Sequence, residues 1–189
     1  MTMTQRGQWI FVLGIIGVLA GALVVGLALT PSLQPIGVES RAPEFHAVDV
    51  ATGDTVSLER YEGDVVLLNI WATWCTPCVT EMPSIQRLYD ELGPDGLKVV
   101  AVSVDGEDTE DVQAWTAERG LTFDILHDRT GRIERDYQTT GVPESFVIDR
   151  EGVIVKKIIG ATQWDHPTQV ALLRRLLGVD EQPVEDRTQ

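Results

Sequence analysis

Cys75 and Cys78 are the only cysteines in the 189-residue sequence, and they stand three apart. They lie in Trp71-Ala72-Thr73-Trp74-Cys75-Thr76-Pro77-Cys78, between an apolar run and a stretch with helical spacing. A thiol at a helix N-terminus meets free backbone N–H groups and the positive end of the helix dipole, and both stabilise its thiolate. On that reading Cys75 is the exposed nucleophile. Cys78, one turn further in, resolves a mixed disulfide by attacking Cys75 from beneath. Residues i and i+3 share a helix face, so sulfurs at this spacing come within bonding range. Pro77 suits the first turn, where its missing N–H costs nothing. Two blander readings compete. A disulfide that only stapled the chain would close a loop too small to remove much unfolded-chain entropy. A metal site would need two more ligands, and His46, His127 and His166 are scattered singly.

The elements that must position this pair are strands alternating with helices. Val65–Ile70 and Val99–Val104 are continuous apolar, β-branched runs, as expected of strands buried on both faces. Between them Pro77–Leu92 carries Val79, Met82, Ile85 and Leu88 at helical spacing and ends at Gly93-Pro94. A second helix opens at Asp108-Thr109, runs through Trp115 to Arg119 and closes at Gly120. Glu107, Asp108, Glu110 and Asp111 suit its positive N-terminus. They read as a solvated helix start rather than a cation site, since their spacing is no calcium loop. Thr122–Leu126 reads as a strand and Thr130–Tyr137 as a short helix. Phe146–Asp149 and Val153–Ile159 flank the turn Arg150-Glu151-Gly152 and form a hairpin. Pro167–Leu177 closes the series as a helix with Val170, Leu173, Leu176 and Leu177 on one face. The expected fold class is α/β, a mixed central sheet flanked by helices.

Charge divides the chain unevenly. Trp9–Leu29 is 21 residues without a charge, whereas the whole chain carries a net charge of −14. At about 1.5 Å per residue this run spans roughly 31 Å, enough for a transmembrane helix. A cleaved signal peptide usually has a shorter apolar region, and Thr30-Pro31 is not a small-x-small cleavage pattern. Arg6 and the amino terminus are the only positive charges before the run, which keeps residues 1–8 cytoplasmic and exports the rest. Residues 30–42 read as a linker, 43–178 as the domain and 179–189 as an acidic tail. A sequence pI near 4.5 argues against binding a nucleic-acid backbone. Two cysteines exclude a disulfide-rich scaffold.

Asn69-Ile70-Trp71-Ala72-Thr73-Trp74-Cys75-Thr76-Pro77-Cys78, followed by Gly141-Val142-Pro143-Glu144-Ser145-Phe146-Val147-Ile148-Asp149, resembles the thioredoxin superfamily. More narrowly, it is similar to the membrane-anchored TlpA/ResA/CcmG branch, over about Ala42–Gly178. The resemblance implies a thioredoxin fold with an N-terminal extension. It also implies a cis Val142–Pro143 bond lying against the cysteines, whose preceding backbone pairs with a substrate segment. Read alone, Pro143 favours an ordinary turn before the strand Ser145–Asp149. Where cytosolic thioredoxins carry a buried acid, this sequence has Asn69, which cannot ionise. The branch instead places a glutamate three residues after the second cysteine, here Glu81. One turn beyond Cys78, it would handle the proton of that thiol, its own pKa raised by burial. Spacing alone leaves a solvated surface glutamate equally open. Pro83 nearby breaks a backbone bond of the helix, as the family also shows.

The implied substrate contacts are Trp74, Thr76, Pro77, Val142, Pro143 and Glu144, the last as an acidic contact or a rim charge. Trp71 and Trp115 read as core packing. The implied activity is extracytoplasmic thiol–disulfide exchange, mainly as a reductant. The implied substrate is apocytochrome c during cytochrome c maturation, with electrons from a CcdA- or DsbD-like membrane protein. No cofactor or metal is expected. Val79 after Cys78 rules out a haem-attachment C-x-x-C-His. Rival readings are a general disulfide reductase, a disulfide-stapled binding module of a maturation complex and a metallochaperone. A peroxidase is a further rival; it has Thr73 two residues before Cys75 but lacks the upstream proline pattern.

Overall fold

The computed structural model describes residues 5–29, 35–106 and 108–179, in two units divided between Pro35 and Ile36. The first unit is the helix α1, Gln5–Leu29, which contains the uncharged run. The side chains at 5–8, among them Arg6, and at 11 and 27–29 lie outside the described residues, as do residues 1–4 and 30–34. Among the described residues no helix is long and apolar enough to cross a membrane.

The second unit is built on the paired apolar runs. In chain order it contains β1 (His46–Asp49), β2 (Thr55–Ser57), a 3-10 turn (Leu58–Tyr61), β3 (Val65–Trp71) and α2 (Thr76–Leu92). There follow β4 (Leu97–Ser103), α3 (Thr109–Glu118), β5 (Asp124–His127), α4 (Arg132–Asp136), β6 (Glu144–Ile148), β7 (Ile154–Ile159) and α5 (Pro167–Leu177). The seven strands form one sheet in the order β2-β1-β5-β4-β3-β6-β7. β3, β4 and β5 run parallel, while β6 is antiparallel to β3 and β7 to β6. This is a thioredoxin-like fold with a mixed sheet. β1 and β2, absent from the expected elements, extend the sheet beyond β5.

The period of two along β3 assigns its side chains to opposite layers. Val65, Leu67 and Trp71 pack with Met82, Ile85, Leu88 and Leu92 of α2 and Leu173 and Leu177 of α5. Val66, Leu68 and Ile70 pack on the other face with Phe45, Ile133 and Tyr137. Each fully buried Leu or Ile here is worth roughly 1.5–3 kcal/mol. Asn69 falls in register with Leu67 and Trp71, so alternation aims its amide toward α2. That is the one polar position in the strand, and it is wholly buried.

Helix ends follow their residues. Cys75 caps α2, and Gly93 follows it with its N–H donating to Tyr89 O. A Cβ at Gly93 would lie 2.6 Å from that oxygen, so only glycine allows the approach. Of the acids before α3, Glu107 lies outside the described residues, and Asp108 pairs with Arg129 at 2.7 Å. Residues 36–42, whose composition reads as a linker, lie along the outer hairpin. Glu39 N–H donates to Ile154 O, Ala42 N–H to Gly152 O, and Ile154 N–H to Ser40 O. In the stretch read as a tail, Val179 packs against the core, and 180–189 lie outside the described residues.

Candidate active site

β3 ends at Trp71, paired with Ser103 of the parallel neighbour β4. Two residues further on, Thr73 and Asp105 meet in the same register. The Asp105 carboxylate accepts the Thr73 N–H at 3.0 and 3.1 Å and the Thr73 hydroxyl at 2.6 Å. It also accepts the Ser103 hydroxyl at 2.6 Å and is buried. A buried carboxylate is tolerated only when so many donors surround it. Here they hold the loop that delivers Trp74 and Cys75 to the start of α2. Sequence reasoning missed Asp105, because its partner lies 32 residues away and only strand register joins them.

Cys75 and Cys78 are joined by a disulfide. The Cys78 N–H donates to Cys75 Sγ at 3.2 Å, so a free backbone donor does point at the leading sulfur. The expectation of an exposed Cys75 needs correction in this oxidised form: it is only 4% exposed, against 0% for Cys78. The ranking of the two sulfurs stays as expected, but the surface around them belongs to their neighbours. Trp74 is 66% exposed, and Thr76 and Pro77 are exposed beside it. Cys75 is covered by the segment before β6. Its Sγ lies 3.5 Å from Val142 O, a contact rather than a hydrogen bond, since a disulfide sulfur has no proton. The Val142–Pro143 bond is cis, and Pro143 is buried. β6 begins only at Glu144, leaving Gly141 and Val142 ahead of the ladder.

Beneath the disulfide, α2 turns Glu81 inward rather than to solvent. It is 1% exposed. Asn69 Nδ2 donates to Glu81 Oε1 at 2.8 Å, and the Thr162 N–H donates to Oε2 at 3.0 Å. Burial raises the Glu81 pKa from 4.5 to about 7, opposed by the bonds from Thr162 and Asn69 and by the nearby Trp164 indole. That indole N–H favours the carboxylate while making no hydrogen bond of ordinary geometry. Ser84 braces the same segment: its hydroxyl donates to Glu81 O and accepts the Trp164 N–H. A carboxyl poised near neutrality one turn from Cys78 can take or give a proton as that sulfur reacts.

Glu144 is not a surface contact. It is fully buried, and its carboxylate pairs with Lys157 Nζ at 2.8 Å and accepts the Thr140 N–H at 3.2 Å. Lys157 also donates to Ile36 O at 3.0 Å. The expected acidic or rim charge is therefore an internal ion pair that fastens the loop before Pro143 to β7. The sequence signal was present in Lys156-Lys157, an unusual pair within an apolar strand. Trp71 packs in the core against Trp115, with ring centroids 5.1 Å apart.

Fold and site together define a thiol–disulfide oxidoreductase with a thioredoxin fold: a redox pair at a helix start, faced by a cis-proline. The chain belongs to the AhpC/TSA family, whose description matches residues 38–157. It is 34% identical over 166 residues to the thiol-disulfide oxidoreductase ResA of Oceanobacillus iheyensis, covering 85% of this chain and 86% of that one. It is 36% identical over 148 residues to the thioredoxin-like protein YneN of Bacillus subtilis, covering 72% and 85%. The crystal structure of StoA from Bacillus subtilis superposes with a TM-score of 0.57 at 28% identity, covering 71% of this chain and 96% of that one.

Proposed function

We propose that this chain is a membrane-tethered, extracytoplasmic reductase of protein disulfides. Its substrate is apocytochrome c during cytochrome c maturation, and its electrons come from a CcdA- or DsbD-like membrane protein. The observation that carries this reading is the buried carboxyl of Glu81 beneath the cysteines, with a non-ionising Asn69 where cytosolic thioredoxins hold their acid. That exchange is the mark of the TlpA/ResA/CcmG branch.

In the reduced enzyme the Cys75 thiolate attacks one sulfur of a substrate disulfide. The substrate S–S bond breaks, and the departing thiolate takes a proton from solvent. Cys78 then passes its proton to Glu81 and attacks Cys75 Sγ. This releases the second substrate sulfur as a thiolate, which takes a proton from solvent, and forms the Cys75–Cys78 bond seen in this structure. Two electrons have moved from the enzyme to the substrate, so the enzyme disulfide must be reduced again after each turn. The exposed Trp74 side chain offers an apolar rest for the substrate segment beside Cys75.

Equilibration of Cys75–Cys78 with glutathione tests the direction. A potential below about −200 mV is expected of a reductant, and one near −120 mV would overturn the assignment. Reduction of an oxidised Cys-x-x-Cys-His peptide faster than the same peptide with its histidine replaced supports the substrate. Equal rates would leave a general reductase in its place. Tethering is supported by the uncharged run Trp9–Leu29. Release of the full chain from membranes by alkaline extraction would refute it.

A further inference from the structure

The buried amide of Asn69 is arranged to favour the ionised form of its partner. Both Nδ2 protons are used, one on Glu81 Oε1 at 2.8 Å and one on Ser145 Oγ at 2.9 Å. The other end of the amide, Oδ1, is buried without a hydrogen-bond partner. A buried acceptor left unpaired is costly, so the orientation must be held by what Nδ2 gains. The gain is a charge-assisted bond, which exists only while Glu81 is ionised.

Protonation of Glu81 reverses the preference. The Thr162 N–H continues to donate to Oε2, so the added proton belongs on Oε1. There it would face the Nδ2 donor. Rotation of the carboxamide by half a turn about χ2 replaces that clash with a bond, with Oδ1 accepting from the Glu81 O–H. The Ser145 hydroxyl, which can donate as readily as accept, follows by turning its proton toward the same oxygen. One amide end is unpaired in either orientation, so the two differ little except in their fit to Glu81. We propose that Asn69 is a positioning residue whose carboxamide turns over with the Glu81 proton, Ser145 rotating in step, so that the site supports both forms of the acid. This rests on the reading of Glu81 as the group that exchanges a proton with Cys78.

The surroundings leave Glu81 as the titrating member. Asn69 faces it from β3, Ser145 reaches it through Asn69 from β6, and Thr162 and Trp164 face it from the segment after β7. Cys78 precedes it on α2. None of the groups acting on Glu81 carries a charge. An aspartate in place of Asn69 would put a second carboxyl at 2.8 Å, and the two would share a single proton.

Asn69 is the only asparagine in the sequence, so 15N-asparagine labelling of the full chain gives one side-chain amide pair to follow. In the oxidised protein neither cysteine titrates. Both Nδ2 proton shifts are expected to move with pH, with a midpoint near 7, and to become flat in Glu81→Gln. Asn69→Asp is expected to raise the midpoint of Cys78 alkylation in the reduced protein by at least one pH unit, tenfold in rate at fixed pH. Amide shifts that stay constant from pH 5 to 9 in the unsubstituted protein overturn the proposal. Amide shifts that titrate while Glu81→Gln leaves the Cys78 profile unchanged support the coupling to Asn69. That second result removes instead the proton role assigned to Glu81.

Discussion

Cys75→Ser is expected to lower the rate of disulfide reduction by at least about 1,000-fold, equivalent to about 4 kcal/mol of barrier. A serine hydroxyl at this position gains the same backbone N–H and helix dipole, but its pKa is far too high for those to ionise it near neutrality. Cys78→Ser should behave differently. The leading sulfur still attacks, but nothing expels the substrate from it, so a mixed disulfide with Cys75 accumulates and is visible on a non-reducing gel. The pair of outcomes separates catalysis from stapling. Loss of so short a cross-link costs about 2 kcal/mol of stability in the oxidised protein, and the two substitutions lose it equally. A module that merely needed the staple would therefore show the same modest defect in both variants, with no trapped partner. Full activity in Cys75→Ser, measured with a peptide disulfide at a series of concentrations, would sink the catalytic reading altogether.

The contrast between what was readable in the sequence and what was not follows from the range of the interactions. β3, β4 and α5 were legible because their signals are local: an unbroken apolar run for a strand covered on both faces, and a Pro-led amphipathic stretch for a helix. Cys75 and Cys78 were legible for the same reason, since strand, cysteines and helix are contiguous. β1 and β2 escaped because four and three residues hold too little periodicity, and β1 buries Asp49 as well as Ala47. Glu144 misled for a physical reason. A glutamate beside a proline reads as exposed unless its counter-ion is known, and Lys157 arrives from the next strand by antiparallel pairing. Thr162 was silent because it acts through a backbone N–H that any residue could supply, and Asp105 because its carboxylate meets Thr73 only through the register of β3 and β4. Glu81 stood between these cases. Its spacing from Cys78 permitted either an inward or an outward face, and only packing of α2 against β3 buries it.

Burial of Glu81 leads to the second large effect, in Glu81→Gln. Its folded pKa, about 7, lies above the 4.5 of an ordinary glutamate. The folded protein therefore binds more protons than the unfolded chain between those values. Stability from this group is full below about pH 4.5, declines as pH rises toward 7, and is lost above it. The span corresponds to about 3 kcal/mol. Glutamine cannot ionise, so the difference between the urea-unfolding free energies of the oxidised variant and unsubstituted protein isolates this contribution. That difference should grow in favour of Glu81→Gln across the same window. Other acids titrate equally in both proteins and cancel. In the reduced protein the same substitution removes the acceptor for the Cys78 proton. Release of a trapped substrate by Cys78 should slow by about 100-fold near neutrality, and its inflection near pH 7 should vanish. Both measurements report the same carboxyl, the first in the oxidised protein and the second in the reduced one. A stability difference that is flat from pH 4 to 8 would mean that Glu81 titrates normally, and with it would go the reason for placing an acid there.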